Sequence, residues 1–177
     1  MGITAFHDDY IQVLEKQTGC IMSIPVKAKT IVIDTSLKSK MNLRRMRFTL
    51  GHEGSHYLLH QRTFSKENIN NMGMSGNQYL AAKTGHIDYN RGIGKNEKER
   101  MERQADFLAA ALLMPRSAMR IAYKDFFSGI GETPRVLTRG KGQERDVLAK
   151  QLASYIADTF IVSNRAAMIR LEKLNAV

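Results

Sequence analysis

The segment RFTLGHEGSHYLLH, residues 47–60, sets two histidines and a glutamate, His52, Glu53 and His56, in the arrangement HExxH. Apolar Met46, Leu50, Tyr57 and Leu58 support a helix from Leu43 to His60, even though Gly51 and Gly54 cost helix propensity. Four residues of helix advance about 6 Å along one face, so both imidazoles can reach one ion. Zinc suits such a pair. It is borderline-soft, prefers tetrahedral sites and, with three protein ligands, keeps a fourth position for water, which then ionises near neutral pH. Glu53, between the two histidines, is placed to accept that proton.

A carboxylate ligand is still required, and it must come from another part of the chain. Residues 61–95 are rich in Asn, Gly, Ser and Lys and read as a long surface excursion, with a short helix around Gln78 to Lys83. Beyond it, Asn96 and Glu99 have capping-box spacing. Met101, Ala105, Leu108, Leu112 and Leu113 form an apolar stripe that stops before Pro115, predicting a helix over 97–113. On that helix Glu102 and Asp106 share a face beside Ala105 and Ala109, whose small side chains permit close packing. One carboxylate can bind metal. The other, Asp106, can accept the free ring N–H of a ligand histidine and fix its tautomer. A solvated charge pair is the competing reading, and it suits Glu97 and Glu99 better than Asp106, which lies between Ala105 and Phe107.

Together, RFTLGHEGSHYLLH and ERQADFLAAALLMP (102–115) resemble, in order, the two signature segments of the ImmA/IrrE family of metallopeptidases. The resemblance extends more weakly to the Ile31–Asp34 run and to LASYIADTFIVSNRAAMIRLEKL (152–174). It implies that Glu102, and not Glu97 or Glu99, is the third ligand, and that zinc is the cofactor. Gln104 stands where many members carry a second glutamate. HEGSH replaces the common HELGH, putting Gly54 in place of a packing leucine and Ser55 in place of a tight glycine. Members of the family are often encoded beside helix-turn-helix repressors, which they cleave. The resemblance therefore implies a zinc endopeptidase whose protein substrate is a transcriptional repressor of a mobile element or stress operon.

The remaining chain completes an α+β expectation: a mainly helical, zincin-like single domain with a small β-sheet and C-terminal helices. Thr4 caps a first helix over about 5–18, with Phe6, Tyr10, Val13 and Leu14 at helical spacing and Gly19 ending it. The runs Cys20–Val26 and Thr30–Asp34 are β-prone and expected to pair with each other. Helices follow over 116–127, 143–160 and 164–174, with Ser163 capping the last and a glycine-rich connection over 128–142. The expected division is a metallopeptidase core over 1–127, with its excursion at 61–95, and a helix-turn-helix-like segment over 128–177 packed on it.

Composition sets the remaining bounds. With 177 residues, 43% hydrophobic and 25% charged, the chain can bury a core without staples. The single cysteine, Cys20, cannot close an internal disulfide and is expected to be a small buried residue in a reducing, cytoplasmic setting. No stretch approaches a membrane span, and MGITAFHDDYIQ lacks the basic start and apolar run of a leader. The net charge of +10, concentrated toward both ends, would favour an acidic protein or nucleic acid. The 152–174 segment, with Arg165, Arg170 and Lys173 on its second helix, therefore raises a rival reading: a DNA-binding or zinc-sensing regulator with a non-catalytic zincin domain. Burial of Ile161, Val162, Met168, Ile169 and Leu171 against the core is the preferred account of that segment. Nothing in the spacing selects an oxyanion donor from His60, His86, Tyr57, Tyr89 and Tyr123.

Overall fold

The computed structural model describes residues 2–14, 18–64, 95–137 and 143–176. They belong to two compact units: Met1–Thr35 with His52–Phe107, and Ser36–Gly51 with Leu108–Val177. The element order is β1 (Gly2–Ala5), β2 (Asp9–Leu14), β3 (Ile21–Val26), β4 (Thr30–Ile33), α1 (Leu43–His60), α2 (Lys95–Leu113), α3 (Arg116–Gly129), α4 (Gln143–Phe160) and α5 (Asn164–Lys173). This is the expected α+β, mainly helical architecture.

The N-terminal segment departs from expectation: strands β1 and β2 replace the helix expected over 5–18. Tyr10, Ile11, Val13 and Leu14 fit both a 3.6-residue and a two-residue period over so short a run. Pairing resolves the ambiguity, with Ile11 buried between exposed Tyr10 and Gln12 in the alternation of a half-buried strand. The strand partners also differ. β3 pairs antiparallel with β2, Ile11 opposite Ile24, and β4 pairs antiparallel with β1, Thr4 opposite Ile31. The expected β3–β4 pairing is replaced by these two ladders, which share a small core of Ala5, Ile11 and Val26 packed by Ile3, Val13 and Val32. Gly19 takes a left-handed φ of 69° in the β2–β3 connection rather than ending a helix. Cys20, beside it, is exposed, because the turn carries it away from that core.

Within the first unit, the end of β1 and the bend after it meet the C-terminal half of α1 and the turn that follows. Thr4 bonds to Glu53, and the Phe6 ring packs on Phe64, with centroids 4.7 Å apart, and stacks on Tyr57. The His7 imidazole bonds the Phe64 carbonyl.

In the second unit, α3, α4 and α5 enclose a core that includes Met119, Phe127, Leu152, Ile156, Val162 and Leu171. Gly51 of α1 faces Ala109 and Leu113 of α2, where an added Cβ would stand 3.5 Å from Leu113 Cδ1. Ser163 caps α5 as its sequence suggests, its Oγ accepting from Ala166 N at 3.1 Å. Val162 and Leu171 are buried and Met168 packs on the core, whereas Ile161 and Ile169 are 39% and 46% exposed. Arg170 is buried and donates from Nε to the Met114 carbonyl at 3.2 Å. That leaves Arg165 and Lys173 as the exposed cations among the three expected on α5. No helix among the described residues is long and apolar enough to cross a membrane.

Candidate metal centre

α1 buries Glu53, Ser55, His56 and His60, a polar set that needs partners inside the protein. α2 supplies partners for the histidines: Met101 and Ala105 are buried, and Glu102, Gln104 and Asp106 beside them reach the imidazoles of α1. The structure places His52, His56 and Glu102 together. Nε2 of His52 and Nε2 of His56 are 3.0 Å apart. Glu102 Oε2 lies 3.1 Å from His52 Nε2 and 3.5 Å from His56 Nε2.

These separations fit a tetrahedral ion, because bonds near 2 Å put neighbouring ligand atoms about 3.3 Å apart. The donor chemistry fits as well. His52 Nδ1 is 2.9 Å from Asp106 Oδ1, and a carboxylate only accepts, so Nδ1 carries the hydrogen; in the neutral imidazole that leaves Nε2 with its lone pair. A lone pair directed at a carboxylate oxygen and a second imidazole is stabilised by a cation between them. The three side chains could therefore hold a metal ion.

His56 is fully buried, and its outer nitrogen meets another imidazole: His56 Nδ1 and His60 Nδ1 are 3.0 Å apart. His60 in turn sets Nε2 3.1 Å from Gln104 Oε1. Burial pushes the His60 imidazole below its ordinary range, although the hydrogen bond to Gln104 pulls the other way.

Glu53 is 3% exposed, and its Oε2 accepts from the Thr4 hydroxyl at 2.8 Å. The same Oγ1 is 2.8 Å from the Glu53 main-chain carbonyl, so one hydroxyl ties the side chain and backbone of this residue to β1.

Sequence reasoning gave Thr4, His60 and Gln104 other roles, as a helix cap, an oxyanion candidate and a departure at a family glutamate position, and missed the contacts they make at the site. His60 had a visible signal, since His52, His56 and His60 recur every four residues along one face. Thr4 had none. Of the oxyanion candidates, Tyr57 is stacked on Phe6, and Tyr123, in the second unit, donates to the Arg135 carbonyl. His86, Tyr89 and the short helix expected at Gln78–Lys83 lie outside the described residues.

Comparison with known families agrees with this geometry. The peptidase family M78 model, described as an IrrE N-terminal-like domain, matches residues 14–172. No curated protein and no solved structure matches the chain. The family match covers most of the chain, including both helices of the histidine–carboxylate cluster, and carries with it a metallopeptidase-type function acting on protein. The chain belongs to peptidase family M78, as an IrrE N-terminal-like domain.

Proposed function

We propose that this protein is a zinc-dependent endopeptidase, with His52, His56 and Glu102 as the metal ligands, Glu53 as general base and Asp106 orienting His52. The observation that carries the reading is the convergence of two imidazole nitrogens and one carboxylate oxygen within 3.5 Å of one another. One of the imidazoles is set by its own carboxylate partner.

Zinc bound there would supply Lewis acidity, polarising the scissile carbonyl and lowering the pKa of water. Glu53 takes the proton from the attacking water as its oxygen bonds to the carbonyl carbon. The same carboxyl then returns the proton to the leaving amine nitrogen as the C–N bond breaks. The Thr4 hydroxyl on Oε2 holds that carboxylate in one rotamer. Asp106 keeps the hydrogen of His52 on Nδ1, leaving Nε2 available.

For the substrate, we propose a cytoplasmic helix-turn-helix transcriptional repressor of a mobile element or stress operon, cut at one site to relieve repression. The support is the resemblance of the two signature segments to ImmA/IrrE peptidases. The test incubates the purified, zinc-loaded protein with the repressor encoded beside its gene. A single cut by the wild type and none by Glu53→Gln is expected. An intact repressor in both would overturn the substrate assignment.

The rival reading, a DNA-binding regulator, loses support from Arg170, whose guanidinium is committed to the Met114 carbonyl. Salt-sensitive, sequence-selective retardation of DNA by the purified protein would restore it.

A further inference from the structure

We infer that Gln104 and His60 form a positioning chain that decides which nitrogen of His56 is free to bind metal. The inference rests on the reading of the cluster as a metal centre and goes beyond it in assigning two residues outside the ligand set. Neither touches a reacting atom in this account. Both act through His56.

The geometry leaves two arrangements of hydrogens. A contact between two imidazole nitrogens needs one donor and one acceptor. His56 Nδ1 and His60 Nδ1 are 3.0 Å apart, so only one of them carries the hydrogen. If Gln104 Oε1 accepts from His60 Nε2–H, then His60 Nδ1 holds a lone pair and accepts from His56 Nδ1–H. His56 Nε2 then presents its own lone pair beside His52 Nε2 and Glu102 Oε2. Turning the amide of Gln104 over reverses every step: its NH2 donates to His60 Nε2, His60 Nδ1–H donates to His56 Nδ1, and His56 Nε2 carries a hydrogen. A protonated Nε2 cannot be a ligand. The side-chain amide on α2 therefore acts on a ligand of α1 through a second ring.

Burial makes this control effective. His56 and His60 are 0% and 4% exposed, so their ring-to-ring contact is closed to bulk water. The two ligand histidines are also set by different chemistry. Asp106 holds His52 with a group that can only accept. Gln104 holds His56 at one remove, with a group that can accept or donate. The sequence departure at position 104, glutamine where many ImmA/IrrE members carry glutamate, thus falls at the head of the chain.

The test compares Gln104→Glu, which can only accept, with Gln104→Lys, which can only donate, and Gln104→Met, which does neither. Gln104 is exposed, so each variant should fold, as checked by circular dichroism. Zinc affinity is read by competition with a chromophoric chelator, and tautomers by long-range proton–nitrogen NMR on 15N-histidine protein. Gln104→Glu should hold zinc within about threefold of wild type, while Gln104→Lys and Gln104→Met weaken it by roughly 10- to 100-fold, the range for outer partners of metal ligands. His60 should carry its hydrogen on Nε2 in the metal-free and zinc-loaded wild type and lose that preference in Gln104→Lys. Wild-type zinc affinity in the lysine and methionine variants, or weakening with unchanged tautomers, would overturn the chain. Failure of the wild type to bind zinc would remove the metal-centre reading instead. The His60 tautomer in the metal-free protein would then still decide the positioning claim.

Discussion

The Thr4 hydroxyl lies 2.8 Å from the Glu53 carboxylate, linking the third residue pair of a two-stranded ladder to the centre of the HExxH helix. Glu53→Gln is expected to keep zinc and lose peptide cleavage by a factor on the order of 100 to 10,000, the usual contribution of a general base. Thr4→Val keeps the shape of the side chain and removes the donor. It should lower turnover while zinc affinity stays that of the wild type, and it should destabilise the fold by about 1–3 kcal/mol because a buried acceptor loses a hydrogen bond. Steady-state peptide hydrolysis, chelator competition and a thermal melt separate the three effects. Full activity in Glu53→Gln would end its assignment as the base.

Asp106 and Glu102 sit one turn apart on α2 and should fail differently. Removing the ligand in Glu102→Ala should abolish stoichiometric zinc binding. Asp106→Ala, which leaves the ligands in place and frees the His52 ring, should weaken zinc by roughly 10- to 100-fold. In wild type, removal of zinc by a chelator should lower Tm, because an ion that binds only the folded state stabilises it by mass action. Metal analysis after gel filtration checks the first claim and calorimetry the last.

Gly54 offers a stabilising substitution close to the site. A Cβ built there meets no atom of the described residues within 4 Å, and the position is helical. Gly54→Ala should therefore raise stability by roughly 0.5–1 kcal/mol through helix propensity alone, with zinc affinity unchanged. Denaturant unfolding reads it. A lower midpoint would show that the helix needs glycine there.

Tyr123 gives the expected pH dependence. Burial raises its phenol above the usual range, while the Arg135 charge lowers it in part. The folded state thus holds this proton after the unfolded chain has released it. The stabilisation is fully present below about pH 10, the ordinary tyrosine value, and is lost as pH rises through the higher folded value. Tyr123→Phe lacks this titration, so the stability advantage of wild type over the variant should shrink above pH 10. Paired urea melts at pH 8 and pH 10.5 measure the change, and a constant gap would contradict it.

How much of this was legible follows from where each contact reaches in the chain. α1 through α5 could be read because an apolar stripe, a capping residue or a proline stop is local information. The pair Glu102 and Asp106 could be read because four-residue spacing fixes a shared face. The strand β2 could not, since six residues satisfy either period and only the partner, Ile21–Val26, decides. Thr4 and Glu53 are 49 positions apart, and His60 and Gln104 are 44. A threonine and a glutamine carry no signature of a partner so distant until the fold supplies it, and the spacing of His60 marks its face but not its partner. Cys20 departs from its expected burial for a related reason: its exposure is set by the turn beside it rather than by its own apolar character.

The hold on Glu53 also has a bearing on what the chain shares with its family. The family match begins at residue 14, while the strand carrying Thr4 ends at Ala5. His52, His56 and Glu102 thus lie inside the matched span, whereas Thr4, which bonds to Glu53, lies outside it. On the proposed function, a nick in the Phe6–Asp8 bend would leave the histidine–carboxylate cluster in place while loosening the hold on Glu53.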